Sequence, residues 1–141
     1  MATGTAMSTK MESDILSRWL KNTTTVMSVN SATSQYLAIG TTGYNTGIAE
    51  PPTSDGYARV QVTFGAVGGA TSGPATISGP SAATTFGPNT NVNWGSIGYF
   101  GIYDASTSGN LLFWGSLTAT VSIAVNDQFQ FAASAITLQA D

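Results

Sequence analysis

The chain has 141 residues, of which 42% are hydrophobic and only 8% carry a charge, and its formal net charge is −3. This length is enough for one domain with its own core. Because the chain has four basic residues and no cysteine, the composition excludes an ordinary nucleic-acid-binding surface, disulfides and cysteine-ligated metals.

The N-terminal part is predicted to be an arm followed by one helix. Residues 1–8 are small and polar, which is typical of an arm without its own fold. Thr9 as N-cap and Glu12 have the spacing of a capping box, which predicts a helix over residues 9–22. Its apolar face consists of Met11, Ile15, Trp19 and Leu20. We expect this face either to pack on the chain's own sheet or to contact a partner protein.

Residues 23–141 are predicted to form a β-sandwich, so that the chain is a single domain overall. A strand is expected at residues 35–40, with a weaker one near residues 26–29. Residues 41–56 contain glycines and two adjacent prolines and indicate a long surface loop. In residues 57–64 the alternation places Ala58, Val60, Val62 and Phe64 on one side and Tyr57, Arg59, Gln61 and Thr63 on a polar side.

The centre of the predicted fold is a hairpin over residues 94–117. Both faces of its first arm are largely apolar, which indicates a strand covered on both sides. Residues 104–109 supply an aspartate, small hydroxyl residues and a glycine for the turn. The residues that we assign to this core hairpin are Trp94, Phe100, Tyr103, Asp104, Leu112 and Trp114.

Short strands are expected on both sides of the hairpin. They fall at residues 77–80, 82–86, 117–125, 129–131 and 135–139, after a glycine-rich bend at residues 65–76 and with a turn at Asn126 and Asp127. Leu117, Ala119, Val121, Ile123 and Val125 alternate along one of them. The pattern predicts a mainly β fold, an antiparallel β-sandwich or jelly-roll-like domain with one N-terminal amphipathic helix.

No constellation of catalytic or metal-binding residues stands out. Histidine is absent, and the carboxylates Glu50, Asp55, Asp104 and Asp127 each have a local turn role. Residues 104–109 match part of a calcium loop without its terminal acid. We therefore predict no catalytic, metal or cofactor site. The aromatic residues Trp94, Tyr99, Tyr103 and Trp114 are expected in the core, with a glycan platform as the alternative.

Several segments together resemble small structural proteins of tailed bacteriophages, of the tail-fibre-like and capsid cement (decoration) type. They are residues 12–20, 36–39 and 56–64, then Trp94-Gly, residues 100–105, 109–112 and 114–117, and finally Asp127, Phe129 and Phe131. The resemblance covers most of the chain, and the hairpin is its most distinctive part. Residues 65–88 are longer and richer in glycine than the resemblance leads us to expect.

The resemblance implies a virion component without catalysis. Within it we predict a capsid decoration protein, a trimer that bridges subunits of the major capsid protein at the capsid surface. The sparse charge favours a subunit whose surface contacts neighbours. No signal peptide or membrane segment is evident, so synthesis in the host cytoplasm and no membrane partner are expected. The alternatives are a tail-fibre or baseplate module that binds a host glycan, and a free-standing lectin-like or hydrolytic domain.

Overall fold

The computed structural model describes residues 2–20, 34–66, 68 and 75–140. Their strands are β1 (Ala2–Met7), β2 (Gln35–Gly40), β3 (Gly43–Tyr44), β4 (Gly47–Ile48), β5 (Val60–Val62), β6 (Ala75–Gly79), β7 (Thr84–Phe86), β8 (Ser96–Tyr103), β9 (Leu111–Ser122), β10 (Phe129–Phe131) and β11 (Ile136–Ala140). One helix, α1 (Thr9–Leu20), and a 3₁₀ turn (Thr53–Asp55) are also present. The prediction of a mainly β fold with one N-terminal helix is confirmed. The weak strand expected at residues 26–29 lies outside the described residues.

The largest sheet has five strands in the order β1-β9-β8-β2-β5, and its neighbours are all antiparallel. Three two-stranded ribbons, β10-β7, β11-β6 and β3-β4, accompany it. The β8–β9 hairpin lies at the middle of the large sheet, as the sequence predicts. Other parts of the chain pack on both faces of β8, which explains why this strand is apolar on both faces.

One face of the large sheet packs against the two C-terminal ribbons. Leu37 and Ile39 of β2 and Phe100 of β8 belong to the same buried cluster as residues of β7, β10 and β11. The ring centroids of Phe100 and Phe131 are 6.3 Å apart at 75°, an edge-to-face contact that joins the layers. The residues that the two ribbons contribute to this cluster are Phe86, Phe129, Phe131, Ile136 and Leu138. This layer is the main core of the protein.

The opposite face of the sheet is covered by the small β3–β4 ribbon. Ala38, Tyr103 and Leu111 form a second buried cluster, against which Ile48 packs. A Cβ atom on Gly101 would lie 2.6 Å from Ile48 Cγ1, so only a glycine lets the ribbon approach β8 this closely. The segment predicted as a long surface loop therefore contains a hairpin that closes one side of the sheet.

The helix begins at Thr9, the first residue of the predicted range, but the predicted N-cap is wrong. Ser8, not Thr9, caps α1, because Ser8 Oγ accepts a hydrogen bond from the Met11 N–H at 3.2 Å. The Ser8 hydroxyl also donates to the carbonyl of Leu111, and the Ser8 N–H donates to the Leu112 carbonyl at 2.9 Å. Ser8 is only 1% exposed. The cap thus also fixes the helix start to β9.

Two other features differ from the predicted pattern. The predicted strand over residues 57–64 is regular only at Val60–Val62, so Tyr57 lies in irregular backbone and is buried, whereas Ala58 is exposed. The alternation predicted for residues 117–125 is also wrong, because β9 runs to Ser122 and Val121 is 42% exposed. In β9, residues 117–120 lie opposite the single residue Gly98, and this irregularity changes which side chains point inward.

The N-terminal arm takes part in the sheet. The prediction of an arm without its own fold is wrong for residues 2–7, which pair with β9 from Ala2↔Leu117 to Met7↔Phe113. The strand has a register shift between Thr3 and Thr5. Small residues carry no clear hydrophobic period, so the partner strand rather than the local sequence selects this conformation.

Candidate functional site

A closed network of ion-pair and hydrogen-bond contacts joins the loop before β5 to the end of the β8–β9 hairpin. Arg59 and Glu50 form its centre: Nη2 lies 2.6 Å from Oε1, and Nε lies 3.0 Å from Oε2. The Arg59 side chain is only 10% exposed and the Glu50 side chain only 19% exposed. This fork-to-fork geometry is the strongest form of an arginine–carboxylate contact. We call this pair, with Tyr57 and Tyr103, the arginine clamp.

The two tyrosines complete the arginine clamp on either side. Tyr57 donates its hydroxyl proton to Glu50 Oε2 at 2.6 Å and accepts the Ile39 N–H at 3.3 Å. The Arg59 guanidinium lies over the Tyr103 ring, 3.5 Å from its centroid, and the Tyr103 hydroxyl accepts the Ile48 N–H at 3.0 Å. The clamp therefore also connects β2 and the β3–β4 ribbon.

The surroundings in the arginine clamp raise the pKa of three of its members, Tyr57, Tyr103 and Arg59. Burial is the main cause that raises the pKa of Tyr57, and the hydrogen bond to Glu50 raises it further. Burial also raises the pKa of Tyr103. For Arg59, burial opposes the charged form, but the hydrogen bond and the charge of Glu50 outweigh it and the pKa is raised. All three groups thus keep their ordinary protonation state at neutral pH.

Arg59 also fixes the turn between β8 and β9. Its Nη1 donates to the Ala105 carbonyl at 3.0 Å and to the Ser108 carbonyl at 2.6 Å. Within the turn, Asp104 accepts the Asn110 N–H at 2.6 Å and the Asn110 side-chain amide at 2.8 Å. Ser108 has a φ of 53°. The turn is therefore stabilised by hydrogen bonds to Asp104, which belongs to the turn, and to Arg59, which lies in another segment of the chain.

Beside this turn lies a groove of about 450 Å³ between three segments. The start of α1, the turn of the β3–β4 ribbon and the end of the hairpin turn each contribute one wall. A hydrogen bond from the Thr9 N–H to the Asn45 carbonyl, 3.4 Å long, joins two of these walls. The groove is lined by Ser8, Thr9, Lys10, Ser13, Asn45, Thr46, Gly109, Asn110 and Leu111.

The other end of the hairpin has a different surface, which we call the valine end. Val92, Val121 and Val125 are 52%, 42% and 42% exposed. They lie on two segments that are hydrogen-bonded to each other, for example from the Trp94 N–H to the Ile123 carbonyl at 3.1 Å. Three valines of these two adjoining segments thus expose apolar side chains to solvent.

The four carboxylates singled out in the sequence have separate structural partners. Asp104 forms the turn contacts given above, and Asp127 accepts the Ala124 N–H at 3.2 Å. Asp55 is 2% exposed and accepts the side-chain amide of Asn91 at 3.2 Å. Glu50 belongs to the arginine clamp, which the sequence did not indicate. In the described ranges no three Asp, Glu, His or Cys residues are grouped to hold a metal ion, and no helix is long and apolar enough to cross a membrane.

The predicted contact face of α1 is described only in part. Met11 is partly buried and packs against the main core, and Ile15 is half-buried. Leu16 is 57% exposed. The side chains of Trp19 and Leu20 lie outside the described part of the structure. At least the start of the apolar face therefore packs on the chain's own sheet.

The predicted hairpin residues are mostly buried. Trp94, Phe100, Tyr103 and Leu112 are between 0% and 7% exposed, and Asp104 is half-buried in the turn. Trp94 donates its indole N–H to the Asp55 carbonyl at 3.1 Å. Trp114 stacks on Tyr99 with ring centroids 6.5 Å apart, and both residues are half-buried. Trp94 and Tyr103 are thus part of the interior, and Tyr99 and Trp114 keep some contact with solvent.

Sequence reasoning missed Arg59, the residue with the most extensive polar contacts in this region. The alternation of residues 57–64 predicts Arg59 on a polar strand face, whereas its side chain is only 10% exposed. One signal could have identified it: Arg59 is the sole basic residue after Lys21, and two acids, Glu50 and Asp55, precede it closely. A lone arginine among aromatic and acidic residues is a candidate for a partly buried ion pair.

The sequence matches one family of known proteins. A family model described as "Podophage GP4 fiber I protein gp80" matches residues 6–139. No curated protein matches the chain. The match begins within β1 and ends within β11, and it includes the hairpin on which the resemblance to phage structural proteins rests. The chain therefore belongs to the podophage GP4 fiber I protein gp80 family and is a bacteriophage structural protein of the virion.

Proposed function

We propose that this protein is a non-catalytic subunit of a virion fibre and acts by rigid contacts between repeated copies. The family description supports a fibre. The arginine clamp is the observation that carries the mechanical part of the proposal. It joins β2, the β3–β4 ribbon, the loop before β5 and the hairpin turn through directional contacts. A subunit of this kind transmits load because its loops do not move independently of the sheet.

The valine end is the proposed contact between copies. Its two segments, residues 89–95 and 121–127, contain only one charged residue, Asp127. A second copy of the same chain can cover Val92, Val121 and Val125 without desolvating several ions. The proposed assembly is a symmetric homo-oligomer, and we expect a trimer. Many such weak contacts made at once give a stable particle.

Self-association is tested by light scattering after size-exclusion chromatography. Val121→Asp places a charge on the valine end and is expected to shift the wild-type oligomer to monomer. Ser106→Asp, which adds the same charge to the exposed turn at the opposite end, is the matched control and should keep the oligomer. A wild-type chain that stays monomeric at high concentration contradicts self-association, as does an oligomer that Val121→Asp leaves intact.

The second candidate is capsid decoration, in which the protein bridges subunits of the major capsid protein. The exposed Leu16 of α1, at 57%, favours a further contact that a partner shell protein could cover. Electron microscopy of virions with gold-labelled antibody against the chain separates the two candidates. Label along fibres at the tail supports the proposed function. Label over the whole head supports decoration instead, and no label on intact particles contradicts both.

A further inference from the structure

The first part of the chain contributes little to the interior of the protein. We call residues 2–20, which comprise β1, Ser8 and α1, the N-terminal segment, and the described residues from 34 onward the body. Among the side chains that the structure describes, those buried in the two core clusters all lie between Leu37 and Leu138. From the N-terminal segment, Met11 packs against the main core and is only partly buried. The core is therefore built mainly by the body.

The N-terminal segment contacts the body mainly through β9. β1 pairs with β9 along residues 2–7 and also lies against β11. The hydroxyl and the N–H of Ser8 donate to the carbonyls of Leu111 and Leu112, which both belong to β9. Because Ser8 also caps α1, the strand and the helix form one unit. This unit covers the edge that β9 would otherwise leave open, as an added strand does in complexes formed by β-strand addition.

The valine end alone is a small contact for a stable oligomer. Its three valines are between 42% and 52% exposed. A stable and specific interface usually buries about 800 Å² on each partner. Three half-exposed valine side chains supply only a part of that area. The proposed oligomer therefore needs a further contact between copies.

The connection between the N-terminal segment and the body is long enough to reach a second copy. It consists of residues 21–33. An extended chain covers about 3.3–3.6 Å per residue, so this connection spans at most about 45 Å. That distance exceeds the diameter of about 30 Å of a small domain. The segment makes the same contacts whether β9 belongs to its own chain or to another, so an exchange of segments between copies loses none of them.

We propose that the N-terminal segment is exchanged between copies, so that β1 of one copy pairs with β9 of a second copy of this chain. In a closed ring, each copy donates one segment and accepts one, and the valine end adds an apolar contact. The main-chain hydrogen bonds of a whole strand then join the copies. The inference rests on the proposed fibre function and deepens it, because it names the residues that hold the copies together.

The test is a pair of cysteines across β1 and β9. The chain has no cysteine of its own, and Thr3 and Ser116 are paired across the two strands. The Cα atoms of such antiparallel partners lie about 4.5–5.5 Å apart, which suits a disulfide. The full chain with Thr3→Cys and Ser116→Cys is mildly oxidised and analysed on a denaturing gel without reductant. Exchange predicts that most of the protein runs as covalently linked dimers or trimers, which reductant returns to single chains.

The matched control is a pair of cysteines within the body. Ser78 and Thr137 are exposed partners on β6 and β11, and their hydroxyl oxygens lie 3.4 Å apart. The chain with Ser78→Cys and Thr137→Cys should form its disulfide internally and run as a single chain. Circular dichroism shows that both variants keep the fold of the wild type. Covalent oligomers of the control in equal amount would count against the inference, because they would show oxidation without regard to strand pairing.

Two further results would overturn the inference. One is a disulfide that leaves the Thr3→Cys, Ser116→Cys chain at the mass of a single chain. The other is no disulfide in this chain under conditions that oxidise the control. In either case an oligomer of the wild type in light scattering leaves the proposed self-association standing without exchange. Cross-linked chains, together with virions whose fibres carry no label, contradict the fibre function and leave the exchange standing.

Discussion

Arg59 Nη1 lies 2.6 Å from the carbonyl oxygen of Ser108, a residue 49 positions further along the chain. The same guanidinium holds Glu50 with its Nε and Nη2 atoms. One side chain thus connects the loop before β5 to the tip of the central hairpin.

Removal of the arginine should destabilise the protein. Arg59→Met leaves Glu50 partly buried without its counter-charge, and we expect the free energy of unfolding to fall by about 2–4 kcal/mol. Urea denaturation measures the change. Lys10→Met removes a more exposed ion pair, with Lys10 44% exposed, and should cost less than about 1 kcal/mol. Equal losses in the two variants would contradict the role assigned to the arginine clamp.

The clamp should also make stability depend on alkaline pH. The folded state raises the pKa of Tyr57 and Tyr103 above the ordinary value of 10.0, so the folded chain keeps two protons that the unfolded chain loses. The stability that these two tyrosines contribute is therefore fully present below pH 10 and falls as the pH rises above it, by at most about 1.4 kcal/mol per pH unit for each tyrosine. Denaturation curves between pH 8 and pH 11 measure this slope. Tyr57→Phe should make the slope shallower, and an unchanged slope would argue against the assignment.

The helix cap is tested by comparing two neighbouring residues. Ser8→Ala removes the cap of α1 and the hydrogen bond to the Leu111 carbonyl, and should cost about 1–2 kcal/mol of stability. Thr9→Ala changes an exposed hydroxyl and should cost less than about 0.5 kcal/mol. Thermal denaturation followed by circular dichroism compares them. A larger loss for Thr9→Ala would restore Thr9 as the cap.

Close packing of the β3–β4 ribbon on β2 is tested at a glycine. A Cβ atom on Gly40 would lie 2.5 Å from the Ala49 carbonyl oxygen, so Gly40→Ala must displace main chain and should cost about 1–3 kcal/mol. Gly68→Ala is the matched control, since no atom lies within 4 Å of its added Cβ. Chemical denaturation of both variants gives the comparison. A neutral Gly40→Ala would show that the ribbon does not contact β2 this closely.

Much of the fold follows from local pattern. The hairpin, β2 and β10 were predictable because their apolar residues alternate between turn residues that end each strand. The strand β1 was not predictable from local pattern, because most side chains of Ala2–Met7 are small and the strand pairs with residues more than a hundred positions away. Tyr57 was placed on the wrong side because its backbone is irregular, and a period-two argument fails there.

The candidate site was less predictable than the fold. The hairpin turn at Asp104 was expected, but the contacts of Arg59 with Glu50 and Ser108 join segments that are distant in sequence. The groove likewise needs three segments to meet, and none of them has a distinctive motif. Only the tertiary structure brings Thr46 and Asn110 to the same surface.

The copy number of this protein in purified virions tests the central claim most directly. Quantitative mass spectrometry with isotope-labelled peptides measures its ratio to the major capsid protein. A fibre subunit is expected in few copies per particle, far below the number of capsid subunits, and lost when fibres are sheared off. A ratio that matches the capsid lattice, or absence from the particle, would contradict the fibre assignment.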